Sequence, residues 1–144
     1  MSNPTKIATS TVCPGLRYRD AQAAIDWLCK IFGFEQKALY KNEDGTIGHA
    51  ELTLGGGMVM LSSMKNDEHA QRYRAPDEVG GIETSGIYLV IADIDAAHAR
   101  AVAAGATITR PLNQTDYGSR DFAVKDPEGH TWSAGTYDPW AAHE

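Results

Sequence analysis

Hydrophobic positions along this chain change period in a fixed order, and that order occurs twice. In residues 20–32, Ala21, Ala24, Ile25, Leu28, Ile31 and Phe32 recur at helical spacing and predict one buried stripe. Asp20 stands where an N-cap belongs, and Gly33 where a helix stops. Before this helix, Thr11 to Arg19 (TVCPGLRYR) reads as a strand, which Pro14 and Gly15 push towards an edge or a bulge. After it, Phe34 to Lys41 reads as a strand, and Glu43-Asp44-Gly45 signals a hairpin turn. Gly48 to Leu54 alternates, with Ala50, Leu52 and Leu54 on one face and His49, Glu51 and Thr53 on the other. Gly55-Gly56-Gly57 then turns the chain into Met58 to Ser62.

The second pass begins at Ser85. Ser85 to Ala92 predicts a strand, Asp93 caps a helix, and Gly105 ends it. The Asp-to-Gly spacing is thirteen residues in the first pass and twelve in the second. Thr107 to Arg110 is the next strand, and Pro111 to Gly118 reads as a loop. Phe122 to Lys125 and Thr131 to Tyr137 form a closing hairpin across Asp126-Pro127-Glu128-Gly129. That turn has Asp at its first position, Pro at its second and Gly at its fourth.

Both passes read β-α-β-β-β, over 11–62 and 85–137, and a repeat of this size sets the fold. The prediction is an α+β protein of two tandem βαβββ modules in curved mixed sheets around a cavity. One helix covers one face of each sheet, and the other faces enclose the cavity, the natural place for a ligand. The 1–144 chain is read as a single domain made of module 11–62, linker 63–84 and module 85–137. The linker (SMKNDEHAQRYRAPDEVGGIET) is polar and without a period, which suits either a functional lid or a solvated connection. Residues 1–10 are polar and read as frayed.

Charge narrows the partners. A net charge of −6 argues against nucleic acid and anionic membrane, both of which call for clustered Lys and Arg. The longest apolar run apart from Gly, Ile87 to Ala92, is too short to span a bilayer. The first ten residues hold no apolar core of signal-peptide length, and two cysteines, Cys13 and Cys29, make no disulfide framework. A cytoplasmic setting is expected.

Alternation nominates the site. His49 and Glu51 point away from the apolar face and read as an acid/base couple or a ligand-binding pair, against the alternative of a structural polar pair. Met58 and Met60 would give an adaptable apolar wall. Arg17 is four residues after Cys13, on the same strand face if no bulge intervenes. Arg120 would clamp an anion or make a rim salt bridge. Tyr117, Ser133 and Tyr137 surround the final hairpin, with Tyr137 on the face of Ser133, while Trp132 faces the core. Cys13 reads as a buried inert thiol and His98 as an exposed helix residue. His69, His130 and His143 fall in loop, turn and tail without ligand spacing.

The segments LRYRDAQAAIDWLCKIFGFE, DGTIGHAELTLGGGMVML, LVIAD with the following helix to AAGA, and DPEGHTW, taken in order, resemble the vicinal-oxygen-chelate superfamily. That superfamily comprises glyoxalase I, bleomycin-resistance proteins and extradiol dioxygenases, and the resemblance covers roughly residues 11 to 137. Metal-dependent members place four ligands on the first and fourth strands of each module. Carried over, those positions are Cys13, Met60, Ile87 and Ser133, the last standing where such members have a Glu. These are not the usual His, Glu or Gln, so no divalent metal or other cofactor is expected. Arg17 resembles by position the arginine that holds a glutathione carboxylate in glyoxalase I. The resemblance implies a metal-independent binder that sequesters a drug or metabolite in a homodimer, the Met and aromatic lining and the acidic charge suiting a cationic or amphipathic ligand. The alternative is a glyoxalase-like lyase or isomerase using His49 and Glu51, or an atypical divalent metal.

Overall fold

A computed structural model of the chain describes residues 9–65 and 68–141. The chain divides into two units, with the boundary between Ala75 and Pro76, inside the 63–84 stretch.

The first unit runs Gly15–Tyr18 (β1), Ala21–Phe32 (α1), Glu35–Lys41 (β2), Ile47–Leu54 (β3) and Gly57–Ser63 (β4). Its sheet has the order β1-β4-β3-β2, with β1 parallel to β4 and the other pairs antiparallel. The predicted helical stripe is the buried one. Burial of each large apolar side chain contributes roughly 1.5–3 kcal/mol, more than differences in helix propensity. The Asp20 carboxylate accepts the N–H of Ala23 at 3.1 Å. Gly33 turns left-handed at φ 80°, and its N–H donates to the carbonyl of Cys29. At the β2–β3 hairpin the Asn42 N–H donates to the Thr46 carbonyl at 2.8 Å.

The first strand is shorter than the expected 11–19. Pro14 has no N–H to give to a ladder, so only its carbonyl takes part, accepting the N–H of Met60 at 2.8 Å. Cys13 therefore precedes β1, and the face of Arg17 follows from its ladder partner Ser62 rather than from Cys13.

The second unit runs Ile87–Val90 (β5), Ile94–Ala103 (α2), Thr107–Gln114 (β6), Arg120–Lys125 (β7) and Thr131–Gly135 (β8), ordered β5-β8-β7-β6. Asp93 caps α2 through Ala96 N–H, and the fully buried Ala97 and Ala101 let that helix lie close. His98 does not stand free: it is half-buried with its ring edge-on to Phe122, centroids 5.1 Å apart. The closing turn is as expected, with Gly129 N–H donating to Asp126 O at 3.0 Å. The buried Asp126 carboxylate accepts the N–H groups of Glu128, His130 and the Trp132 indole, each at 3.0 Å.

Strand ends in this unit differ from expectation: β5 is confined to Ile87–Val90 of the expected 85–92, and β7 begins two residues earlier, at Arg120. β6 continues through Pro111 to Gln114, because it is an edge strand and an absent N–H there costs no interior ladder bond. Its register is irregular between Arg110 and Asn113, and the Asp121 side chain accepts from Asn113 at 2.9 Å. β8 stops at Gly135, short of Tyr137. The Thr136 hydroxyl accepts the Arg120 N–H at 3.0 Å, which ends regular pairing. Each unit is thus one βαβββ pass, and the chain is an α+β protein of two such modules.

Candidate ligand-binding site

In the first sheet, residues paired on a ladder share a face. Met60 pairs with Glu51 on one side and Gly15 on the other, Met58 pairs with Thr53, and Ser62 with Arg17. Leu16, Tyr18, Ala50, Leu52, Val59 and Leu61 fill the opposite, buried face. Alternation therefore puts Arg17, His49, Glu51, Met58 and Met60 on one face, as the sequence pattern predicts.

Part of that face is a cleft of about 170 Å³, walled by Arg17, His49, Met60, Ser62 and Tyr73. Tyr73 comes from the 63–84 stretch, and its ring lies against the Arg17 guanidinium, 4.6 Å from carbon to centroid. Arg17 Nη1 is shielded from solvent and has no hydrogen-bond partner among the described residues. His49 Nε2 lies 3.0 Å from Glu51 Oε2, and its ring stacks on Tyr40 at 6.3 Å. The other Glu51 oxygen lies 3.9 Å from Lys37 Nζ. Glu51 and Met58 share the face of the cleft without walling it.

The second unit keeps its own nominated residues. Ser133 pairs with Tyr88 and Ala123. The Tyr88 hydroxyl donates to the Tyr137 carbonyl at 2.8 Å, and Tyr117 meets Tyr137 edge-on at 5.7 Å. Burial pushes the Tyr88 hydroxyl above the usual phenol range, and Tyr117 and Asp121 add to the shift. Arg120 makes an ion pair with Asp95 at 2.7 Å. Trp132 is fully buried, as its strand face predicts.

Tyr73, Ser62 and Tyr88 were not nominated by sequence. Ser62 is in phase with Met60 on β4, so alternation contains that signal. Tyr73 belongs to a stretch with no hydrophobic period and carries none. The stretch itself holds single 3-10 turns at Glu68–Gln71 and Pro76–Val79. His143 and the His69 side chain lie outside what the structure describes, and His130 sits in the closing turn.

The model of the glyoxalase/bleomycin resistance protein/dioxygenase superfamily matches residues 9–134. The chain belongs to this superfamily. Among glyoxalase-superfamily relatives, the uncharacterized protein Mb0911c of Mycobacterium bovis is 35% identical over 122 residues, 85% of this chain and 80% of that protein. The solved structure of TioX from Micromonospora sp. ML1 is 32% identical with a TM-score of 0.66, covering 88% of this chain and 97% of TioX. The fosfomycin resistance protein FosX from Mesorhizobium loti shares the fold, with a TM-score of 0.61 at 15% identity, covering 92% and 96%.

Membership makes the four metal positions worth locating. Met60 and Ser133 lie on the faces expected of them, but Ile87 does not. Ile87 pairs with Trp132 on the helix-covered face, and Tyr88 stands beside Ser133 instead. A one-residue shift in a strand exchanges its faces, which is how Ile87 was misplaced. Among the described residues, no three His, Cys, Asp or Glu side chains come together in a cluster suited to a metal ion.

Proposed function

We propose that this glyoxalase-superfamily chain binds a small molecule in the cleft of its first unit without a resident divalent metal. The observation that carries this reading is the convergence of Arg17, His49, Met60, Ser62 and Tyr73 on one cleft. It combines apolar wall, aromatic ring and a few directed polar groups, as ligand sites do. About 170 Å³ is below the range for a whole drug-sized ligand, so the cleft holds one end of a larger molecule or all of a small one. The positions that metal-dependent members use offer a thiol at Cys13, a thioether at Met60 and hydroxyls at Ser133 and Tyr88. Cys13 alone is a soft ligand, and the other three donors do not suit a hard or borderline divalent ion. Sequestration of a drug or metabolite is the activity we assign, in a cytoplasmic homodimer. Two cysteines that remain free suit a reducing compartment, and two-fold pairing is the commonest closed assembly.

A second reading rests on the His49–Glu51 contact of 3.0 Å at the cleft wall. A histidine oriented by a carboxylate is the usual arrangement for proton transfer, and would serve a lyase or isomerase.

A thermal-shift screen with and without divalent ions, together with metal analysis of chelator-free protein, tests the proposal. A ligand at a hundredfold its Kd stabilises by about 2.7 kcal/mol. The expected result is ligand stabilisation that EDTA leaves unchanged. About one equivalent of zinc, nickel or iron per chain, needed for binding, would overturn it.

A further inference from the structure

The two ring nitrogens of His49 have different neighbours. Nε2 lies 3.0 Å from Glu51 Oε2. The other Glu51 oxygen is turned to Lys37 Nζ at 3.9 Å, so the carboxylate divides its oxygens between these two groups. Nδ1 has no hydrogen-bond partner among the described residues. A carboxylate only accepts, so a neutral imidazole beside one carries its proton on the facing nitrogen and leaves the other as an acceptor. One side of the ring is covered by Tyr40, its partner across the β2–β3 ladder, with centroids 6.3 Å apart and planes 24° from parallel. Tyr40 is 63% exposed, and this stack is the one ring or hydrogen-bond contact of its side chain among the described residues. A ring so exposed adds little to the core; what it does is hold the imidazole. His49 walls the cleft and Glu51 does not, so the Nε2 edge is occupied and Nδ1 remains for a molecule in the cleft.

We infer that His49 meets the ligand of this cleft as a hydrogen-bond acceptor at Nδ1, and that the ligand is therefore a donor, through a hydroxyl or an amide N–H. Glu51 and Tyr40 are positioning residues in this arrangement. Glu51 fixes which nitrogen carries the proton, and Tyr40 fixes the plane of the ring. The inference rests on the proposed ligand-binding reading and names the ligand class that this wall selects. Met60 and the Tyr73 ring line the same cleft and add apolar surface. The donor is accordingly carried on an apolar or aromatic body of about benzene size, since a dry cavity of about 150 Å³ admits benzene and this cleft holds about 170 Å³.

The test is titration of the full chain with benzyl alcohol and benzamide, which donate, and with benzyl methyl ether and N,N-dimethylbenzamide, which keep the oxygen and cannot donate. All four are neutral, so Arg17 does not sort them by charge. Amide NMR locates the binding, and long-range proton–nitrogen correlation of the His49 ring reports its tautomer. Each donor should bind about five- to tenfold more tightly than its methylated partner, the worth of one hydrogen bond. Which pair shows the larger ratio separates a hydroxyl ligand from an N–H ligand. The free chain should show the His49 proton on Nε2. Glu51→Gln offers that nitrogen both a donor and an acceptor, so it should mix the tautomers and shrink the preference for donors. His49→Phe keeps the stack, removes the acceptor and should abolish the preference. A preference that survives this change comes from the bulk of the methyl groups and would overturn the inference. Tyr40→Phe should behave as the unaltered chain, whereas Tyr40→Ala should weaken the donors severalfold and leave their methylated partners unchanged. Weakening of all four alike would mark a structural role and overturn the one given to Tyr40. Equal binding of donors and methylated partners in the cleft, or a His49 proton resident on Nδ1, would overturn the acceptor inference while leaving small-molecule binding intact. Binding of none of the four in the cleft would overturn both.

Discussion

At the scale of single residues, Asp126 and Trp132 show how a polar group is kept in the core. The Asp126 carboxylate accepts two backbone N–H groups and the Trp132 indole N–H. Trp132→Phe removes that indole donor and opens space around a fully buried ring, so roughly 2–4 kcal/mol of stability should be lost in urea unfolding. Tyr88 gives a pH prediction. Burial, with Tyr117 and Asp121, raises its phenol above the ordinary value near 10. The folded chain then holds this proton to a higher pH than the unfolded chain does. The contribution is fully present below the unfolded pKa and falls away as pH rises through the folded one. Ultraviolet titration of tyrosinate should show one late-ionising group that Tyr88→Phe removes, and an unchanged titration would refute this. The faces of residues were legible where strand alternation decides them, as for His49, Met60 and Trp132. Ile87 was misread because its face depended on an assumed register, and a ladder of four residues leaves little pattern to fix it.

At the scale of elements, the helices were the most legible part, because each carries its own start and stop. Asp20 and Asp93 accept from the third residue beyond them, Ala23 and Ala96. Asp20→Ala and Asp93→Ala should each cost about 1 kcal/mol, measurable as a lowered denaturation midpoint at unchanged slope. The closing turn was equally legible, and Gly129 holds φ 96° there. A Cβ at Gly129 would also meet the Asp77 amide nitrogen at 3.1 Å and Pro76 Cβ at 3.2 Å. Gly129→Ala should therefore destabilise by more than the ~1 kcal/mol of left-handed backbone strain alone, again by denaturation. Edge strands were less legible. Pro14 and Pro111 are both breakers in sequence, yet one precedes its strand and the other lies inside it, a difference set by neighbouring strands.

At the scale of the whole molecule, the repeated βαβββ order was readable because two helices and two hairpins each carry local signals in the same sequence of steps. The site was readable only in part. Arg17, His49 and Met60 belong to regular strands, and their faces follow from period-two alternation. Tyr73 lies where no periodicity exists, and the lack of a partner for Arg17 Nη1 among the described residues depends on packing that no local pattern encodes. The account rests on the first unit's cleft being a ligand site. The most direct measurement is a small-fragment screen read by amide NMR on the full chain, in chelated buffer. The account predicts hits whose shifts converge on residues 15–17, 49, 60–62 and 73. Hits that avoid these residues, or no binding at millimolar fragment concentration, would contradict it.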